Sequence, residues 1–65
     1  MGIGKRLREL RKSEGMSQVE VSVKSSIAQG NISDIENGKN VPSIEVASRI
    51  ADAIGYELRV DFVKK

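Results

Sequence analysis

Ile32-Ser33-Asp34-Ile35-Glu36-Asn37-Gly38, then Lys39-Asn40-Val41, then Pro42-Ser43-Ile44, reads as the end of one helix, a turn and the start of the next. Ile32 and Ile35 are three apart, so they share one helix face. Glu36 to Asn40 is polar and turn-prone, with Gly38 where a left-handed residue closes a helix. Pro42 cannot continue a helix, and Ser43 is a good N-cap, with Glu45 favourable in the first turn that follows. Downstream, Ile44, Ala47, Ala51 and Ile54 recur at three, four and three, and Ile50 widens that face. This is the most strongly periodic helix in the chain, and Gly55 ends it.

Upstream, the first segment runs from about Ile3 to Glu14. Ile3, Leu7 and Leu10 lie on one face, basic residues fill the rest of the circumference, and Gly15 follows. Ser17-Gln18-Val19-Glu20 is a capping-box pattern, in which Ser and Glu side chains each satisfy an orphan amide at a helix start. The next residues conflict with it. Val19, Val21 and Val23 alternate with Glu20, Ser22 and Lys24, a period of two in β-branched residues that alone reads as a strand. Residues 25–28 form a short connector. After Gly55 the period changes again: Tyr56, Leu58, Val60 and Phe62 alternate with Glu57, Arg59, Asp61 and Val63. That predicts a strand with one apolar face, carrying both aromatic residues of the chain. A lone strand has unpaired edges. The economical expectation is pairing with the same strand of a second chain across a two-fold axis. The other is packing flat on the helices with one edge free.

The sequence has 65 residues, 38% of them hydrophobic, which fits one small domain with a modest core. A chain this short buries only about 60% of the surface its unfolded form exposes, and small domains usually need a staple. With no Cys and no His, disulfides and thiolate or imidazole metal sites are excluded. Oligomerisation or very economical packing remains. The usual general base and the best nucleophile are also missing, so an enzyme is not expected, nor is a cofactor. No run approaches about 18 apolar residues, and the basic start lacks the apolar stretch of a signal peptide. The expectation is a soluble, cytoplasmic protein. Net charge is only +2, but residues 1–12 carry Lys5, Arg6, Arg8, Arg11 and Lys12 against Glu9 alone. From charge alone this is a solvated helix face with weak attraction for a polyanion. A membrane-surface role is disfavoured, because the first helix lacks an interfacial Trp or Phe.

The layout resembles the phage-repressor-like (Cro-like, XRE) helix-turn-helix family. The matching pieces are Arg6-Leu7-Arg8-Glu9-Leu10-Arg11-Lys12, Gly15-Met16-Ser17-Gln18, Ile32 to Gly38, and Pro42-Ser43-Ile44 with the helix ending at Gly55. The resemblance covers about residues 3–58. It implies a mainly α, lambda-repressor-like four-helix domain over 1–55. The alternating pattern makes 56–65 a C-terminal strand and dimerisation element through Tyr56, Leu58, Val60 and Phe62. It also settles the valine conflict in favour of a helix from Ser17 to about Ser25.

The implied function is a homodimeric, sequence-specific DNA-binding repressor that places a helix over about Gln29–Asn37 in the major groove of a double-stranded operator. Such a groove is wide enough for one helix and shows a distinct donor–acceptor pattern for each base pair. Gln29, Gly30, Ser33 and Asp34 would face the bases. A Gln amide can pair bidentately with adenine, and Gly30 only permits close approach. Asp34 is awkward beside phosphates; it would accept from a cytosine amino group or stay remote. Ser17, Gln18, Asn31, Asn37 and Lys39 would hold the backbone, which positions the protein without reading sequence. Each has a plainer role as well: Ser17 as N-cap, Asn37 as turn former, Gln29 as a surface amide. Arg11 and Glu36 are implied to be a buried structural ion pair, neither being burial-competent alone. Three residues depart from the pattern. Ser26 stands where Gly usually makes the turn, Ser22 replaces a usual Ala and must find a carbonyl, and Val21 replaces a usual Leu. The tail also resembles the ends of antitoxins, which gives an alternative: an antitoxin that binds a protein toxin and autoregulates its operon.

Overall fold

Ser17 and Glu20 form a reciprocal cap in the computed structural model, which describes residues 2–65. Ser17 Oγ accepts from the Glu20 amide, and Glu20 Oε1 accepts from the Ser17 amide, both at 3.1 Å. Two orphan donors are thereby satisfied, and the valine-rich segment is a helix despite its β-like alternation. The four helices among the described residues are α1 (Ile3–Ser13), α2 (Gln18–Ser25), α3 (Gln29–Glu36) and α4 (Ile44–Ile54). Of the three valines only Val21 is buried, while Val19 and Val23 are exposed. Helical geometry thus splits the alternation between two faces.

α4 begins as its sequence predicts, with Ser43 Oγ accepting from the Val46 amide, and ends at Gly55 in the left-handed region. Its apolar repeat overreaches at one end. Ile44 is 65% exposed, because it lies in the first turn beyond the edge of the core. Ile3 at the start of α1 is likewise exposed.

α1 and α2 each pack on both α3 and α4. The core so enclosed consists of Leu7, Val21, Ile27, Ile32, Ile35, Ile50, Ala51 and Ile54, with Leu10, Met16, Val46, Ala53 and Leu58 packed against it. α1 approaches α3 so closely that a Cβ on Gly4 would overlap the backbone carbonyl of Ile35. Gly4 is therefore required by packing, a role that no turn signal in the sequence announces.

The strand expected in the tail is not formed. Residues 56–65 have no regular secondary structure, and Tyr56 donates its amide back to Ala51 in the closing turn of α4. The physical reason is that a strand exists only by pairing, and no other segment among the described residues is a strand. The alternating residues also part company. Leu58 packs against the core and the Tyr56 hydroxyl donates to Glu14 Oε2 at 3.1 Å, whereas Val60 and Phe62 are exposed.

Candidate nucleic-acid interface

Ser26, with φ 60°, is the one described non-glycine residue in the left-handed region, and it makes the turn between α2 and α3. Three hydrogen bonds hold that turn. The Ser26 amide donates to the Ser22 carbonyl, Ser22 Oγ to the Ile27 carbonyl at 2.6 Å, and the Ile27 amide to Ser25 Oγ. Ser22 therefore has the carbonyl that its hydroxyl needs. Ile27 is then buried between the two helices.

α3 is anchored from below by Ile32 and Ile35, each 1% exposed. This leaves Gln29, Gly30 and Asp34 exposed on the outer side, with Ser33 and Asn31 half-buried at its flanks. Gly30 has neither a positive φ nor a close neighbour: an added Cβ would meet nothing within 4 Å. Asn31 Oδ1 accepts from Asn40 Nδ2 at 2.7 Å, which ties α3 to the following loop. That loop also caps α3, since the Lys39 and Asn40 amides both donate to the Asp34 carbonyl. Lys39 and Asn37 are exposed there, and Asn37 Nδ2 reaches Ser33 Oγ at 3.4 Å.

The end of α3 is locked to α1 and α2 through Glu36. Arg11 Nε donates to Glu36 Oε2 and Arg11 Nη2 to Glu36 Oε1, both at 2.8 Å, and both side chains are buried. Arg11 Nη1 also donates to the Met16 carbonyl. Gln18 Nε2 adds a bond to Glu36 Oε1 at 3.1 Å, so the start of α2 sits beside the end of α3. Burial works against the Glu36 charge, but the hydrogen bonds from Arg11 and Gln18, helped by the charges of Arg11 and Arg8, outweigh it. The Glu36 carboxyl is held below the usual carboxylate range. The hydrogen bond to Glu36 raises Arg11 further above its already high value, against its own desolvation.

Sequence reasoning assigned Gln18 to a phosphate and missed its bond to Glu36. It also missed Asn40, whose only signal was its place in a polar turn. Lys5 and Arg8 of α1 line a shallow groove with Asn37, Gly38 and Asn40, so part of the basic N-terminal segment lies next to the end of α3. No described helix is long and apolar enough to cross a membrane.

Two short helices joined by a three-residue turn, the second buried on one face and polar on the other, define a helix-turn-helix unit inside a four-helix domain. The helix-turn-helix family pattern matches residues 7–60, and the chain belongs to this phage-repressor-like family. It is similar to the immunity repressor protein of Bacillus phage phi105, at 28% identity over 89% of this chain and 40% of that protein. It is 34% identical to the ImmF control region 10 kDa protein of the same phage, over 89% of this chain and 64% of that protein. Endothelial differentiation-related factor 1 of Homo sapiens is 33% identical over 88% of this chain and 38% of its own length. The chain thus spans less than two thirds of the length of each of these relatives.

Proposed function

We propose that this protein is a sequence-specific DNA-binding transcriptional regulator that lays α3 in the major groove and acts as a homodimeric repressor. The observation that carries the reading is the outer edge of α3, where Gln29 and Gly30 stand exposed on a helix otherwise fixed by Ile32, Ile35 and Glu36. Gly30 is the most telling residue. Within the free chain it costs helix stability and relieves no clash, so its use lies in letting another surface come close. Similarity to a phage immunity repressor supports the same reading.

Gln29 would read a base edge, with Ser33 at its flank and Asp34 accepting from a cytosine amino group if it reaches one. Ser17, Gln18, Asn31, Asn37 and Lys39 would meet the phosphates on either side, aided by Lys5 and Arg8. Gln18 has a second amide proton besides the one aimed at Glu36, so it can serve both partners. A dimer formed through the tail would hold two copies of α3 about 34 Å apart, one turn of DNA.

Selection of bound sites from random duplexes, followed by titration, tests the reading. A dimer with about eight phosphate contacts gives a slope of log K against log salt near −7. Gln29→Ala is expected to weaken the selected site while sparing non-specific DNA, and Gln18→Ala to weaken both. If Gln29→Ala lowers affinity for every sequence equally, Gln29 is not a base reader. The exposed Val60, Phe62 and Val63 support a second reading, an autoregulating antitoxin whose tail is held by a toxin. Co-purification of a second protein from native cells would favour it.

A further inference from the structure

The tail begins against its own helices and then leaves them. Leu58 packs on the core, whereas Val60, Phe62 and Val63 are 60%, 98% and 88% exposed. We propose that this segment pairs antiparallel with the same segment of a second copy, in the register that sets Val60 opposite Val60. The inference rests on the dimer reading above and specifies its geometry.

A two-fold axis brings the same edge of the same segment together, so the two strands run antiparallel. Directly opposed residues then point to the same face. Tyr56, Leu58, Val60 and Phe62 occupy alternate positions. A register centred between two residues would set at most one of them against an apolar residue, Val63, and the others against polar ones, so the centre must be a residue. Four centres lie in the middle of the segment, at residues 58–61. Centred on Arg59, the pairing sets Arg59 against itself and Glu57 against Asp61, all like charges. Centred on Asp61, it sets Val60 against Phe62 and Glu57 against Lys65, but Asp61 against itself and Leu58 against Lys64. Centred on Leu58, it matches Glu57 with Arg59 but ends at Val60, leaving Phe62 bare. Centred on Val60, it sets Arg59 against Asp61 twice and Leu58 against Phe62 twice, with mismatches only at the ends, where Glu57 meets Val63 and Tyr56 meets Lys64.

That register alone pairs opposite charges without setting any like charges together, and also covers Phe62. The polar face agrees with it. Arg59 Nε already donates to Glu57 Oε1 at 2.6 Å within the chain, so across the axis it would lie between Glu57 of its own strand and Asp61 of the partner. Phe62 would lie beside the partner's Leu58, the tail residue seated on the partner's core. The most exposed large apolar side chain among the described residues would thus gain an apolar cover.

Sedimentation equilibrium of full-length variants decides the register. Asp61→Arg is expected to weaken dimerisation about tenfold, as attraction becomes repulsion at two symmetric pairs. Adding Arg59→Asp to it is expected to restore the dimer to within about threefold. In a chain without native cysteine, Val60→Cys is expected to cross-link faster on oxidation than Cys placed at 59 or 61, because residue 60 alone opposes itself. A dimer tightened by Asp61→Arg is centred on Arg59, and one left unchanged is centred on Leu58 or Asp61; either result overturns this register and spares the dimer. A full-length chain that is monomeric at micromolar concentration overturns the register and the dimer reading together.

Discussion

Gly4 and Gly30 are both helical glycines, and their surroundings give them opposite meanings. At Gly4 a Cβ would overlap the Ile35 carbonyl, so Gly4→Ala must push α1 off α3. The expected cost is about 1–3 kcal/mol, the range for overpacking, and thermal denaturation would reveal it. At Gly30 a Cβ meets open space, so Gly30→Ala should stabilise the free protein by about 0.5–1 kcal/mol. The same change should weaken binding to a selected DNA site. A Gly30→Ala variant that is more stable and binds as well as the parent would remove the main support for close approach at α3. Glu36 presents a different residue-scale case. Its folded carboxyl titrates below the ordinary range, so the unfolded chain takes up that proton first as pH falls. The stabilisation it gives is full above the unfolded value of about 4.3 and is lost as pH drops through the lower folded value. Acid unfolding curves of Glu36→Gln should therefore be flatter below about pH 5. The same variant leaves Arg11 buried without its partner, at a cost of about 3–5 kcal/mol near neutrality. If that unfolds the domain, Arg11→Met combined with Glu36→Leu is expected to regain most of the loss, because the stranded charge is gone.

Among the elements, the connection between α2 and α3 carries a strain that was legible in the sequence. Ser26 holds a left-handed conformation that glycine adopts without penalty, so Ser26→Gly should stabilise the domain by about 1 kcal/mol. Chemical denaturation measures this, and an unchanged midpoint would mean that the Ser side chain has a compensating contact. The starts of α2 and α4 were equally legible, because Ser17 and Ser43 are caps with chemistry of their own. The burial of the valines was not. Val19, Val21 and Val23 have the same side chain and the same spacing, and only the packing of α2 on α3 and α4 chose Val21 for the core. Gly4 was illegible for the same reason: a close approach between helices has no local signature. At the candidate interface, the exposed residues of α3 followed from the spacing of Ile32 and Ile35. The bond from Gln18 to Glu36 did not, since it joins residues that only the tertiary fold brings together. The tail is a third case. Its alternation is real, but a strand needs a second backbone, and the described residues of one chain supply none.

For the whole molecule, the tail connects stability with function. Leu58 covers part of the core and Tyr56 bonds to Glu14 of the turn after α1, so residues 56–58 contribute to the domain even in a single chain. Beyond them Val60, Phe62 and Val63 form an apolar surface left in water, an aggregation hazard unless something covers it. A second copy would cover it and would also fix the separation of the two α3 helices, so one contact would serve both fold and site. Truncation after Gly55 is thus expected to lower the melting temperature, to yield a monomer, and to weaken specific DNA binding more than non-specific binding. The intact chain should melt at higher temperature as its concentration rises, because mass action links folding to association. Truncation after Leu58 separates the two contributions. It keeps the core contact and removes the pairing edge, so it should remain folded with a melting temperature that no longer depends on concentration. If that shorter chain still sediments as a dimer, association lies on the helices, and the tail serves only its own domain.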